Sequence, residues 1–108
     1  MIRLKSFVSI KDNRVFASAY KNSKCLRQEH LLLFFSDFNG REVGFTVSKK
    51  VGNAVIRNKT KRRIKSLFLE IGDRLRDGRY IFVAKPSIAN TDFLHIRDNF
   101  NKLTTKYI

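Results

Sequence analysis

Apolar and polar positions recur along this chain with two different periods, and the changes of period mark its elements. From Asn13 to about Lys21, the residues Val15, Phe16, Ala19 and Tyr20 recur at offsets of one and four. That spacing places them on one side of a short helix, which Asp12 or Asn13 can cap. The stretch from about His30 to Phe38 is apolar, aromatic and short, which predicts a buried strand. Val43, Phe45 and Val47 then alternate with Gly44, Thr46 and Ser48, the period-2 pattern of a half-buried strand. Asn39-Gly40 lies between the two and suits a tight turn. A β-hairpin from about His30 to Ser48 is therefore expected.

Gly52-Asn53 breaks the alternation and offers a helix N-cap. Beyond it Thr60, Ile64, Leu67, Phe68 and Ile71 fall on one stripe at 3.6 residues per turn, which predicts a helix ending at or before Gly72. Asp77-Gly78 reads as a turn. Tyr80 to Ala84 reads as a central strand that Lys85-Pro86 stops, because proline has no ladder donor. A last helix, capped by Asn90 or Thr91, carries Phe93, Ile96, Phe100, Leu103 and Tyr107 on one face. The order is αββαβα, an α+β class with three helices on a small mixed sheet. No internal repeat and no Pro- or Gly-rich linker divides residues 1–108, which read as a single domain.

Charge narrows the function. The chain of 108 residues carries 23 Lys and Arg against 9 Asp and Glu, a net charge of +14. Self-repulsion at that charge opposes compaction and calls for a polyanion in the working state. Nucleic acid fits, because every phosphate neutralised releases condensed counterions. A membrane span does not: the longest apolar run, Leu31 to Phe35, is far below the ~20 residues a bilayer requires. The N-terminus lacks a secretory h-region and Cys25 stands alone, so no intramolecular disulfide can form. These features point to the cytoplasm, with Cys25 as a spectator thiol.

The charge is concentrated. Between Lys49 and Lys65 lie eight cations and no acidic residue: Lys49, Lys50, Arg57, Lys59, Lys61, Arg62, Arg63 and Lys65. At 100° per residue, Asn58, Lys59, Arg62, Arg63 and Lys65 lie opposite Ile64, Leu67, Phe68 and Ile71. Arg57 falls near the apolar stripe and should lean into a groove at the helix's first turns. Ordinary solvated faces mix both signs to form i,i+4 pairs, whereas like-signed neighbours destabilise a helix that has no external anion. The helix N-terminus adds free N–H groups and the positive end of the dipole, and arginine adds bidentate contacts. Phosphate binding is the reading that uses all of this.

The run Gly44-Phe45-Thr46-Val47-Ser48-Lys49-Lys50-Val51-Gly52-Asn53-Ala54-Val55-Ile56-Arg57-Asn58-Lys59-Thr60-Lys61-Arg62 resembles the signature segment of bacterial ribonuclease P proteins: a strand ending in Ser-Lys-Lys, then Gly-Asn-Ala and an Arg-Asn-Arg helix. Ile10 to Phe16 with Tyr20-Lys21 is similar to the family's first helix, and Gly78 to Pro86 to its later strand. The chain departs from the pattern at Lys59, which keeps charge but loses the arginine fork, at Thr60, where an aliphatic residue is common, and at Ser23, often Gly. Residues 1–9 read as an N-terminal extension without a clear match.

The resemblance implies a ribosomal-protein-S5-domain-2-like fold with a left-handed βαβ crossover. It implies that the catalytic site and its Mg²⁺ belong to an RNA subunit, with the protein as a cofactor in removing the 5′ leader of precursor tRNA. It implies two RNA surfaces. One is the basic segment (Lys49, Lys50, Asn53, Arg57, Asn58, Lys59, Lys61, Arg62, Arg63 and Lys65), for the catalytic RNA. The other is a cleft between the first helix and the sheet, with Phe16, Tyr20 and Phe34, for the single-stranded leader. Phe16 and Phe34 serve equally well as core residues. No protein partner is evident. The residues agree on catalysis: His30 and His95 are the only histidines, and no acidic pair has metal-ligand spacing within a motif. Asp12, Asp73 and Asp92 read as caps and helix-end charges. A ribosomal protein or general RNA chaperone shares the charge and the α+β pattern but would lack the ordered Ser48-to-Arg62 segment. A protein-only nuclease needs carboxylates converging on a metal.

Overall fold

The computed structural model describes residues 3–4, 7–10 and 13–108. The expected cap Asp12 lies outside them, and so do the side chains of Asn13, Val15 and Ala19. In chain order the elements are β1 (Arg3–Leu4), β2 (Phe7–Ser9), α1 (Asn13–Asn22), β3 (Lys24–Arg27), β4 (Leu31–Ser36), β5 (Arg41–Thr46), α2 (Ala54–Ile71), β6 (Gly78–Ala84) and α3 (Phe93–Thr104). The class is α+β, and three short strands join the expected αββαβα order. β1, β2 and β3 contain two to four residues each and lie toward the two margins of a six-stranded sheet. Runs so short carry no readable period. Phe7, assigned to an extension in the sequence, is fully buried in the core.

β6 occupies the middle of the sheet, in the order β1-β2-β5-β6-β4-β3. The expected hairpin of β4 with β5 does not form: β4 pairs β6 antiparallel and β5 pairs β6 in parallel. The reason is burial. Tyr80, Ile81 and Phe82 are apolar on both faces, and a β4–β5 hairpin would leave that strand on an edge. Asn39-Gly40 spans the end of β6 instead, where Gly40 O accepts from Gly78 N at 2.8 Å. Gly40 has φ +150°, away from the values of a two-residue hairpin turn.

The two faces of the sheet differ. Leu31, Leu33 and Phe35 on β4, Val43 on β5 and Tyr80 and Phe82 on β6 meet Ile64, Leu67 and Phe68 of α2 and Ile96, Phe100 and Leu103 of α3. Aromatic rings knit this side: Phe82 stacks on Phe100 at 5.0 Å, and Phe7 meets Phe68 edge-on at 5.0 Å. α1 covers part of the other face. Asn53 caps α2 as expected, its Oδ1 accepting from Ile56 N at 3.0 Å. The cap of α3 is Asp92, whose Oδ1 accepts from His95 N at 2.9 Å, and not Asn90 or Thr91. Pro86 sets a 3₁₀ turn over Pro86–Asn90 that takes up Asn90, and Thr91 after it is extended. Tyr107 belongs to a closing 3₁₀ turn, Thr105–Tyr107, and is still buried.

Gly78 has φ +156°, and a Cβ there would lie 2.4 Å from Phe35 Cε1 and 3.3 Å from Ser36 O. Gly78→Ala should therefore destabilise the fold by about 1–3 kcal/mol through backbone strain and overpacking. Urea unfolding should show a lower midpoint at an unchanged m-value. A midpoint equal to that of the unsubstituted chain would show that the start of β6 tolerates a side chain.

Candidate nucleic-acid interface

α2 presents its apolar stripe to the sheet as expected: Thr60, Ile64, Leu67, Phe68 and Ile71 are buried. Thr60 meets its polar need by donating to Ile56 O at 2.9 Å. Asn58, Lys59, Arg62 and Lys65 are exposed, while Arg57, Lys61 and Arg63 on the flanks are half-buried. Lys49, Lys50 and Asn53 are exposed in and after the turn that Val51, 5% exposed, anchors.

Among the described residues, five cations outside this segment have carboxylate partners. Arg41, Arg76, Arg79, Arg97 and Lys102 pair with Asp77, Asp37, Glu42, Glu70 and Asp98. Among the described residues, none of the eight cations from Lys49 to Lys65 has a carboxylate partner. Arg57 Nε is buried without a hydrogen-bond partner, at the helix's first turns where a groove was expected. On one flank Lys61 and Lys65 line a cavity of about 190 Å³ with Ser9, Ile10 and Phe45. Lys65 Nζ lies 5.9 Å from the Phe45 ring centre there, within cation–π range.

The three aromatic residues chosen from the sequence come together on the opposite face of the sheet. Tyr20 and Phe34 meet edge-on at 4.9 Å, and Phe16 lies 6.4 Å from Tyr20. Phe16 sits so close to β5 that a Cβ on Gly44 would be 2.7 Å from its ring. Ile10, Ile81 and Val83 complete this small cluster. Phe16 and Phe34 are half-buried and Tyr20 is 38% exposed, its hydroxyl within 3.1 Å of Thr46 Oγ1. Each of the three is therefore both a packing residue and a surface residue.

Other residues of this face could not be seen in the sequence. Register places Cys25 opposite Phe34, Arg27 opposite Leu32 and Thr46 opposite Val83. Cys25 and Arg27 belong to the edge strand β3, which has no readable period, so only the pairing reveals their face. Cys25 is a free, exposed thiol. The histidines have structural partners. His30 N donates to Asn99 Oδ1 at 2.7 Å and its Nδ1 lies 2.8 Å from Ser87 Oγ, while His95 Nδ1 lies 2.8 Å from Asp92 Oδ1. The hydrogen bond from His95 N holds the Asp92 carboxyl below its ordinary pKa. Among the described residues no group of three or more His, Cys, Asp or Glu could hold a metal ion, and no helix is long and apolar enough to cross a membrane.

The family model for ribonuclease P matches residues 4–108. The ribonuclease P protein component of Nitratiruptor sp. is 38% identical over 100 residues, covering 93% of this chain and 92% of its own length. That of Caldanaerobacter subterraneus subsp. tengcongensis is 31% identical over 106 residues, covering 94% and 90%. The RNase P protein of Staphylococcus aureus superposes with a TM-score of 0.82 at 26% identity, over 88% of this chain and 90% of its own. The RNase P protein from Thermotoga maritima shares the fold at a TM-score of 0.82 and 21% identity, over 94% and 98%. Sequence likeness along nearly the whole length, on the same α+β scaffold, makes this chain a member of the ribonuclease P protein family.

Proposed function

We propose that the chain binds the catalytic RNA of ribonuclease P through α2 and its N-terminal turn, and holds the single-stranded 5′ leader of precursor tRNA in the cleft between α1 and the sheet. Hydrolysis in this reading belongs to the RNA subunit and its Mg²⁺. The observation that carries the proposal is the sorting of charge. Among the described residues, five cations elsewhere pair with carboxylates and others do not. Between Lys49 and Lys65, however, eight cations crowd a segment with no acidic residue, and among the described residues none of them has a carboxylate partner. RNA phosphates supply the missing anions, and their binding releases counterions. Arg57, Arg62 and Arg63 can fork onto phosphate oxygens, and the Asn53-capped N-terminus adds backbone donors and its dipole.

The cleft fits a single strand for a different reason. Tyr20 and Phe34 present ring surface to solvent beside Thr46, and bases stack on exposed rings whatever their sequence. Mature tRNA lacks the leader, so the cleft would distinguish precursor from product. In this reading the Mg²⁺ is held by RNA phosphates, whose oxygens suit this hard cation.

Replacing Arg57 and Arg62 together by Ala should flatten the plot of log K for the catalytic RNA against log salt by roughly one to two units, one for each phosphate that is no longer neutralised. An unchanged slope would exclude α2 as the phosphate-binding element. Tyr20→Ala should weaken holoenzyme binding of leader-bearing precursor by about 1–3 kcal/mol and spare mature tRNA, whereas Tyr20→Phe keeps the ring and most of the affinity. Equal losses for both tRNAs would assign Tyr20 to packing alone. The purified chain with Mg²⁺ and no RNA subunit should leave precursor tRNA intact. Release of a discrete leader by a nuclease-free preparation would return catalysis to the protein.

A further inference from the structure

A second cationic surface lies at the end of the sheet where β6 begins. The C-terminus of α1, the first residue of β3, the loop after β4 and the final turn enclose a cavity of about 300 Å³. Its lining includes Lys24, Arg76 and Lys106 against one carboxylate, Asp37. That carboxylate is engaged: Arg76 Nη2 donates to Asp37 Oδ1 at 2.9 Å. Lys24 and Lys106 have no ion pair among the described residues.

Tyr107 supplies the independent observation. It lines the same cavity and is 3% exposed, yet its hydroxyl is buried with no hydrogen-bond partner. Tyr80, equally buried, donates to Arg76 O at 2.7 Å. Buried polar groups nearly always have partners, so an orphaned hydroxyl marks a place where a partner is missing. The Tyr107 ring is held in place, stacked on Phe35 at 4.2 Å with the Arg76 guanidinium 5.5 Å from its centre. Burial raises its pKa, so the hydroxyl stays protonated at neutral pH and can donate. Asn22 Nδ2 gives one hydrogen to Ser18 O at 3.1 Å and keeps the other. The side chains here hold spare donors and positive charge, which suits an anion with several oxygens.

We propose that this cavity is a second RNA phosphate site, in which Lys24 and Lys106 neutralise a backbone phosphodiester and Tyr107 Oη donates to one of its oxygens. It is separate from the α2 surface. β5 runs parallel to β6 and leads into α2 from the opposite end of the strands, so the two sites would hold different stretches of RNA. The proposal rests on family membership and not on how the leader cleft is read. The phosphodiester can come from precursor tRNA or from the catalytic RNA.

Two variants of the full chain test it. Tyr107→Phe removes an unsatisfied hydroxyl, so the free chain should keep or raise its Tm, while stabilisation by added inorganic phosphate falls severalfold. Lys24→Ala with Lys106→Ala should flatten the salt dependence of RNA binding by roughly one to two units. Affinities measured for the catalytic RNA, and for precursor tRNA on the reconstituted holoenzyme, separate the sources. A loss confined to the first assigns the site to the RNA subunit, and a loss confined to the second assigns it to the substrate. Wild-type affinity and slope for both RNAs in both variants would overturn the proposal, even if inorganic phosphate still binds. So would a Tyr107→Phe chain that is less stable but binds RNA unchanged, because the hydroxyl would then serve packing alone.

Discussion

Tyr80, Ile81 and Phe82 are all fully buried, although consecutive side chains of a strand point to opposite faces. β6 must therefore be covered on both sides, and the rest of the architecture follows from that demand. One face receives α2 and α3, of 18 and 12 residues. The other, among the described residues, receives α1, of 10 residues. Ten residues of helix reach roughly 15 Å, whereas six strands span about 24 Å, and Tyr20 and Phe34 remain partly exposed on that face. What remains open beside it is the aromatic cleft. The covering of β6 stabilises the fold, and the shortfall on one side leaves aromatic surface open to solvent.

Charge is distributed with the same economy. Among the described residues, five Lys and Arg side chains lie in ion pairs on the strands, loops and α3, where Glu42 and Arg79 meet across the sheet at 2.7 Å. Such exposed or half-exposed pairs contribute little stability each, but they reduce like-charge repulsion outside the Lys49–Lys65 run. From Lys49 to Lys65 that relief is absent. The α2 helix holds its form there because its stripe is anchored in the core and its N-terminus is capped, so packing sustains the unpaired charge.

Packing and exposure share residues in the cleft. Phe16 lies against Gly44 because no Cβ intervenes, and that approach sets how far α1 stands from the sheet. Tyr20 bridges between Phe34 and Thr46 and is still partly open. A choice between core residue and ligand contact, posed for Phe16 and Phe34 in the sequence, has no single answer when a short helix covers half a face.

Local chemistry in the sequence determined the long elements: the stripe of α2 and its Asn53 cap, the apolar β6, the face of α3 and the acid-free basic run. Each is written within a few turns of chain, at a period or as a charge density that needs no distant partner. The Ser48-to-Arg62 pattern also carried the family likeness. The tertiary structure alone decided the order of the strands. The Asn39-Gly40 dipeptide permits a hairpin, but burying β6 on both faces outweighs that local preference, and burial is a property of the whole sheet. It alone decided that Phe7 enters the core through a three-residue strand and that β3 sets Cys25 and Arg27 beside the cleft, since strands so short take their register from neighbours. It also gathered Lys24, Arg76, Lys106 and Tyr107 around one cavity. No spacing links those residues, and only the closing of the sheet's end by the last turn of the chain brings them together.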